Sequence, residues 1–132
     1  VMSFSGDIRN FANDATEAHN KITRAVTLEL FGGVIKSTPV KIGRARGNWQ
    51  TATGTPPTDE LERDDKSGSQ AIAEVEANTP PGAGQQTYMV NNLPYILDLE
   101  EGSSTQAPEG MVRKNVARVQ RIVKAAIAKL RV

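Results

Sequence analysis

Apolar residues at Ile8, Phe11, Ala12, Ala15, Ile22, Val26, Leu30 and Val34 recur close to every 3.6 positions. That period predicts one amphipathic helix over residues 6–35. Ser5 is placed to cap it, and Asp7 lies in the first turn, where the helix dipole favours negative charge. Gly32-Gly33 is expected to weaken the last turns, and Pro39 to end the run. A helix of this length spans about 45 Å. That is long for so small a chain, so the helix is expected to project or to pack against a neighbour. A second stripe, Val112, Val116, Val119, Val123, Ala126 and Leu130, predicts a terminal helix over 111–131.

The middle of the chain changes period. Residues 37–48 form a loop rich in Gly and Arg. A strand is expected at 49–53, ended by Gly54 and Pro56-Pro57. The acidic stretch 57–70 reads as an exposed, mobile loop. Over 71–77 the alternation allows a strand, while the Ala and Glu content favours a helix, which is the reading adopted. A turn-rich connection at 79–86 leads to a strand at 86–91. Pro94 suits the first position of a short helix over 94–101, closed by Gly102. Residues 102–110 form a loop. The fold class expected is α+β: long N-terminal and C-terminal helices packed against a small antiparallel sheet, with long loops, in one domain covering residues 1–132.

The chain has 132 residues, 38% of them hydrophobic and 5% aromatic. This supports one modest core built on Val, Ile, Leu and Ala, with part of the stability coming from an oligomer interface. No cysteine and one histidine, His19, exclude disulfides, thiolate nucleophiles, Cys-type zinc sites and histidine relays. His19 reads as a surface residue. No cofactor or metal is expected. The chain start lacks the layout of a signal peptide, and no apolar run approaches the roughly 18 residues of a membrane span, so no membrane partner is expected.

The net charge is +1, but its distribution is bipolar. Acidic residues gather at 59–76 and again at Asp98, Glu100, Glu101 and Glu109. Basic ones gather at Lys36, Lys41, Arg44 and Arg46, and at Arg113, Lys114, Arg118, Arg121, Lys124, Lys129 and Arg131. Two readings follow: solvated faces, or head-to-tail stacking of identical subunits, in which opposed charges fix register more than affinity. Nucleotide-binding and hydrolase motifs are absent. The glycines and arginines of 43–47 lack the strand-to-helix pattern of a specific phosphate loop. Adjacent carboxylates such as Glu100-Glu101 diverge by about 100° on a helix and share no acid/base site. An enzyme is not expected. On the terminal helix Lys114, Arg118, Arg121 and Lys124 group together and would attract phosphates, but no aromatic stacking residues accompany them.

Two segments carry a family resemblance. One is Thr38-Pro-Val-Lys-Ile-Gly-Arg-Ala-Arg-Gly-Asn-Trp49. The other is Val90-Asn-Asn-Leu-Pro-Tyr-Ile-Leu-Asp-Leu-Glu-Glu-Gly102, continued by Ser103-Ser-Thr-Gln-Ala-Pro-Glu-Gly-Met-Val112. Their order and spacing resemble tailed-bacteriophage neck proteins of the head-tail joining, tail-completion or minor tail protein Z-like kind, over about residues 5–130. Lys41-Ile42 depart from the common Asp-Thr, and Glu101 stands where an aromatic is frequent. The residues that carry the pattern are Pro39, Gly43, Trp49, Asn92, Pro94, Tyr95, Gly102 and Pro108. Gly43 and Gly102 are expected at positive φ or at close backbone approaches, and Trp49 in the core.

The resemblance implies a virion structural protein of the head-tail connection, assembled in the host bacterial cytoplasm. It implies a homo-oligomeric, hexameric ring that meets tail tube, terminator or connector proteins, with a lumen that passes DNA without holding it. The candidate interface residues are Arg44, Arg46, Glu100, Glu101, Gln106, Arg113, Lys114, Arg118, Arg121 and Lys124. The loop 102–110 either maintains the fold or is a docking surface ordered by a neighbouring ring. The alternatives are a tail terminator or head-closure ring protein, or a small DNA-binding protein using the basic terminal helix.

Overall fold

The computed structural model describes residues 4–82 and 84–130, with side chains placed for 16–82 and 84–129. The side chains of Ser5, Asp7, Ile8, Phe11, Ala12, Ala15 and Leu130, and all of Arg131, lie outside the described residues. Among those described, the elements run α1 (Phe4–Ser37), α2 (Arg44–Gly47), β1 (Trp49–Thr53), α3 (Ser69–Asn78), β2 (Thr87–Asn91), α4 (Ile96–Glu100), α5 (Val112–Val116) and α6 (Val119–Leu130). The class is α+β, as the periodicity predicts. β1 and β2 pair antiparallel, with Trp49 opposite Asn91 and Thr53 opposite Thr87.

α1 is longer than expected at both ends, and Ser5 falls inside its first turn. Gly32-Gly33 does not weaken it. A Cβ on Gly33 would run into the Asn115 side chain, so this glycine lets α5 approach the helix closely. The helix stops just before Pro39, where Thr38 N–H bonds the Ile35 carbonyl. Among the described residues, its C-terminal part enters the core, through Val34 and Ile35. Trp49, Ala71, Val75, Ala107 and Met111 complete that core.

Trp49 is buried, and its indole N–H donates to the Thr38 hydroxyl at 2.8 Å. That hydroxyl in turn donates to the Val34 carbonyl at 2.8 Å. The ring thus fills the core while its one polar atom is satisfied. Asn48, fully buried, grips the loop opposite. It accepts from Leu61 N–H at 2.6 Å and donates to the Leu61 carbonyl at 2.9 Å.

Residues 57–68 have no regular structure and most of them are exposed, as expected. The segment is tied to β1 on the side away from β2. Arg63 donates to the carbonyls of Gly47 (2.6 Å) and Trp49 (3.0 Å). Glu74 accepts from Thr51 N–H at 2.8 Å, and Asn78 donates to the Thr51 carbonyl at 2.8 Å. Arg63 and Glu74 also pair with each other at 3.0 Å. Side chains therefore stand in for a third strand along the free edge of β1. Asp65, only 4% exposed, accepts the Ala71 N–H at 3.0 Å inside the first turn of α3. Asp65 and Glu74 thus hold backbone groups, while Asp59, Glu60, Glu62 and Asp64 are exposed.

The terminal helix is also corrected. It is two helices, α5 and α6, broken at 117–118. Its buried positions are Met111, Asn115, Ile122 and Ala126, while Val112 and Val116 stand exposed. Asn115 explains the break. Its side chain donates back to the Met111 carbonyl (2.7 Å) and across to Ser37 Oγ (3.1 Å). Back-bonding of this kind bends helices, and the buried face of Met111, Asn115, Ile122 and Ala126 lies to one side of the predicted stripe. α4 starts at Ile96, two residues later than expected, with Pro94-Tyr95 in a turn closed by Ile96 N–H on the Leu93 carbonyl.

Two stability predictions follow from this packing. Trp49→Ala should cost about 3–5 kcal/mol in urea unfolding, and Trp49→Phe less, since an aromatic ring remains and the loss is confined to the pyrrole ring's volume and the bond to Thr38. An unchanged midpoint for Trp49→Ala would refute the core assignment. Arg63→Ala should cost about 2–4 kcal/mol, because it strands the Gly47 and Trp49 carbonyls and removes the Glu74 carboxylate's ion-pair partner. A loss below about 0.5 kcal/mol, the usual effect of a surface substitution, would show the edge to be adequately served by water.

Candidate assembly surface

The loops that carry the resemblance are built against each other. Gly43 takes φ +87° and Gly102 φ +95°, as expected. A Cβ on Gly43 would strike the backbone at Asp65–Lys66, and one on Gly102 the Pro108 carbonyl. The Gln106 amide clamps Val40 from both sides, accepting its N–H at 2.9 Å and donating to its carbonyl at 3.1 Å. This mimics one rung of a strand pair and joins the two segments across the surface. Asn91 donates to the Ala45 carbonyl at 2.9 Å and accepts from Leu93 N–H at 3.2 Å. Asn92 reaches further, to the carbonyls of Pro57 (3.2 Å) and Asp59 (3.0 Å). The loop 102–110 closes on itself through Ser103 N–H to the Asp98 carbonyl, Ala107 N–H to Ser104 and Gly110 N–H to Ala107. Ala107 is buried. The loop is thus held by its own chain.

Several candidate interface residues are spent inside the molecule. Arg46 donates to the carbonyls of Thr38 (2.9 Å), Lys36 (2.8 Å) and Lys66 (2.8 Å). It caps the C-terminal end of α1, where the helix dipole favours a cation. Arg44 pairs with Asp64 at 2.6 Å, and that hydrogen bond pushes its pKa further up. Glu100 and Arg113, read as opposite ends of a bipolar chain, pair with each other at 3.1 Å. Arg113 also donates to the Glu100 main-chain carbonyl.

Glu100 carries the largest local load. Its carboxylate accepts from the N–H groups of Met111 (2.9 Å), Val112 (2.8 Å) and Arg113 (3.0 Å). These are the orphan donors at the start of α5. Burial works against its ionisation, yet the three backbone donors and the Arg113 guanidinium together outweigh burial and hold the carboxyl below the usual range.

The remaining candidates are available. Glu101, Lys114, Arg121 and Lys124 are exposed and make no ion pair among the described residues. Arg118 is half-buried and donates to Asn115 Oδ1 at 3.1 Å. With Lys114 it lines a groove of about 830 Å3 between α1, the 106–110 loop and α6, floored by Gly32 and Gly33. Pro39 is buried, and Pro94, Tyr95 and Pro108 are exposed.

Reading the sequence missed a set of exposed apolar side chains: Ile42, Leu97, Val112, Val116 and Ile127. Val112 and Val116 carried the core period and so gave the opposite signal. Leu97 is 71% exposed, a value no single-residue pattern indicates. His19 is exposed, as expected. Among the described residues no group of acidic residues or histidine is arranged to hold a metal ion, and no helix is long and apolar enough to cross a membrane. Comparisons with protein-family models, curated proteins and solved structures find no match to this chain.

The Glu100 cap makes a pH prediction. Its pKa is lower folded than unfolded, so the unfolded chain binds the extra proton at low pH. The stabilisation is complete above the unfolded value of about 4.3 and disappears as pH falls through the folded value. Glu100→Gln should cost about 1–2 kcal/mol at neutral pH and flatten the acid limb of a stability-against-pH curve. Identical limbs for the two proteins would overturn the cap.

Proposed function

We propose that this protein is a virion structural protein of the head-tail connection, acting by assembly without covalent chemistry. Copies pack side by side in a ring at the head-proximal end of the tail, completing it so that a filled head can join. The ring is hexameric in this reading, matching a six-fold tail, and its partners are tail tube, terminator or connector proteins. The supporting observation is the Gln106–Val40 clamp. The two segments that resemble neck proteins are far apart in the chain, yet they form one structural unit, with Gln106 of one holding Val40 of the other.

The test is the mass of the purified protein by light scattering at low and high salt, alone and with isolated tail tubes. A ring, or a monomer captured at tube ends, is the expected result. A monomer that ignores tubes but retards labelled DNA, with affinity falling steeply as salt rises, would replace the neck reading with the DNA-binding one.

A further inference from the structure

The exposed large apolar residues fall into two groups with opposite charge around them. Ile42, Tyr95 and Leu97 form the first, and Val112, Val116 and Ile127 the second. The first group is concave. A groove of about 480 Å3 runs between Pro39, Ile42 and Tyr95. A depression of about 580 Å3 bordered by Tyr95, Asp98 and Glu101 adjoins it, and the two share Tyr95 and Leu99. Leu97 lies one turn before Glu101 on the outer side of α4, since positions four apart share a helix face. Asp98 and Glu101 make no ion pair among the described residues. Of the two cations nearby, Arg44 is neutralised by Asp64, and Lys41 alone stands free beside Ile42. The rim on the α4 side is therefore acidic.

The second group lies in a basic stretch of the chain. Val112 and Val116 lie on one flank of α5, and Val123 and Ile127 on the corresponding flank of α6, 40° and 80° round from Val119 at 100° per residue. Lys124 lies at 140° on the same scale, beyond Ile127, and residues 113–129 contain no acidic side chain. Val116 is 52% exposed.

We propose that these two faces bind each other between copies of this chain. The α5–α6 flank of one copy seats Val116 and Ile127 in the depressions around Tyr95 of the next, and Lys124 meets Asp98 and Glu101. The two faces differ, so the contact is head-to-tail, the kind that closes into a ring. Apolar burial supplies the attraction, and the opposed rims set register and partner choice. This deepens the ring reading above and rests on its premise that copies pack side by side. It assigns that contact to named residues, most of which the charge pattern alone does not pick out.

Sedimentation of the full chain over a wide concentration range tests it. The wild type should associate. Glu101→Lys, Lys124→Glu, Leu97→Glu and Val116→Glu should each weaken association at least tenfold. Their unfolding midpoints, measured alongside, should stay near that of the wild type, since all four sites are exposed. The double variant Glu101→Lys with Lys124→Glu should regain most of the lost association, which a fold defect would not do. A wild type that stays monomeric throughout, or reversals that leave association unchanged, would overturn the face assignment. Capture on tail-tube ends is scored separately. Tube capture by a wild type whose association ignores the four substitutions defeats this assignment alone. Association lost and regained as described, with no tube capture, defeats the neck reading alone.

Discussion

The free edge of β1 is the constraint on which the rest of the molecule depends. A two-stranded sheet has two open edges and little stability of its own. Buried strand carbonyls and N–H groups need partners. Here Arg63, Glu74 and Asn78 supply them at Gly47, Trp49 and Thr51. That arrangement fixes α3 across the sheet, which puts Ala71 and Val75 in the core beside Trp49. It also draws the 57–68 segment tight enough that Gly43 and Gly47 have backbone where a Cβ would be. The glycines of the first resembling segment are thus a consequence of how close that strap lies. Closing the edge with charged side chains also removes a template for pairing with another chain's strand.

From this frame the internal use of charge follows. Arg46 ends α1, Asp65 holds the start of α3 and Glu100 caps α5. Each meets backbone groups at a helix terminus, where partial charge is uncompensated. A chain with little aromatic material and short helices has many such termini for its size. Much of its charge is therefore structural, and the bipolar pattern along the sequence overstates what remains on the surface. Around the two candidate faces the exposed, unpaired charges among the described residues are Asp98 and Glu101 on one side and Lys114, Arg121 and Lys124 on the other.

Legibility in the sequence divides along the same line. Elements set by local pattern were readable. The strand at 49–53 has the expected bounds, the helix favoured for 71–77 is α3, and Trp49, Gly43 and Gly102 do what their residue types imply. What depends on partners distant in the chain was not. Arg63 and Glu74 matter only because the free edge of β1 lies beside them. Gln106 matters only because Val40 lies opposite, 66 residues earlier. Asn115 could have warned of the break in the terminal helix, being a polar residue beside an otherwise apolar stripe. Periodicity read the stripe as continuous, and so placed Val112 and Val116 in the core that Met111 and Ile122 occupy.

The closed 102–110 loop changes the energetics of the proposed assembly. A segment that orders only on contact spends part of the interaction on its own ordering entropy, and binding then depends on a partner being present first. In this protein Gln106, the Glu100 cap and the loop's own turns have already met that cost within one chain. A preorganised surface associates more tightly for the same contact area, but it offers no order-disorder switch to time the event. Sequential assembly through such a surface has to draw its control from elsewhere. The heterologous contact provides one source. A lone copy gains one interface when it joins another, and a copy completing a ring gains two at once, so closure is favoured over open chains without any segment changing its fold.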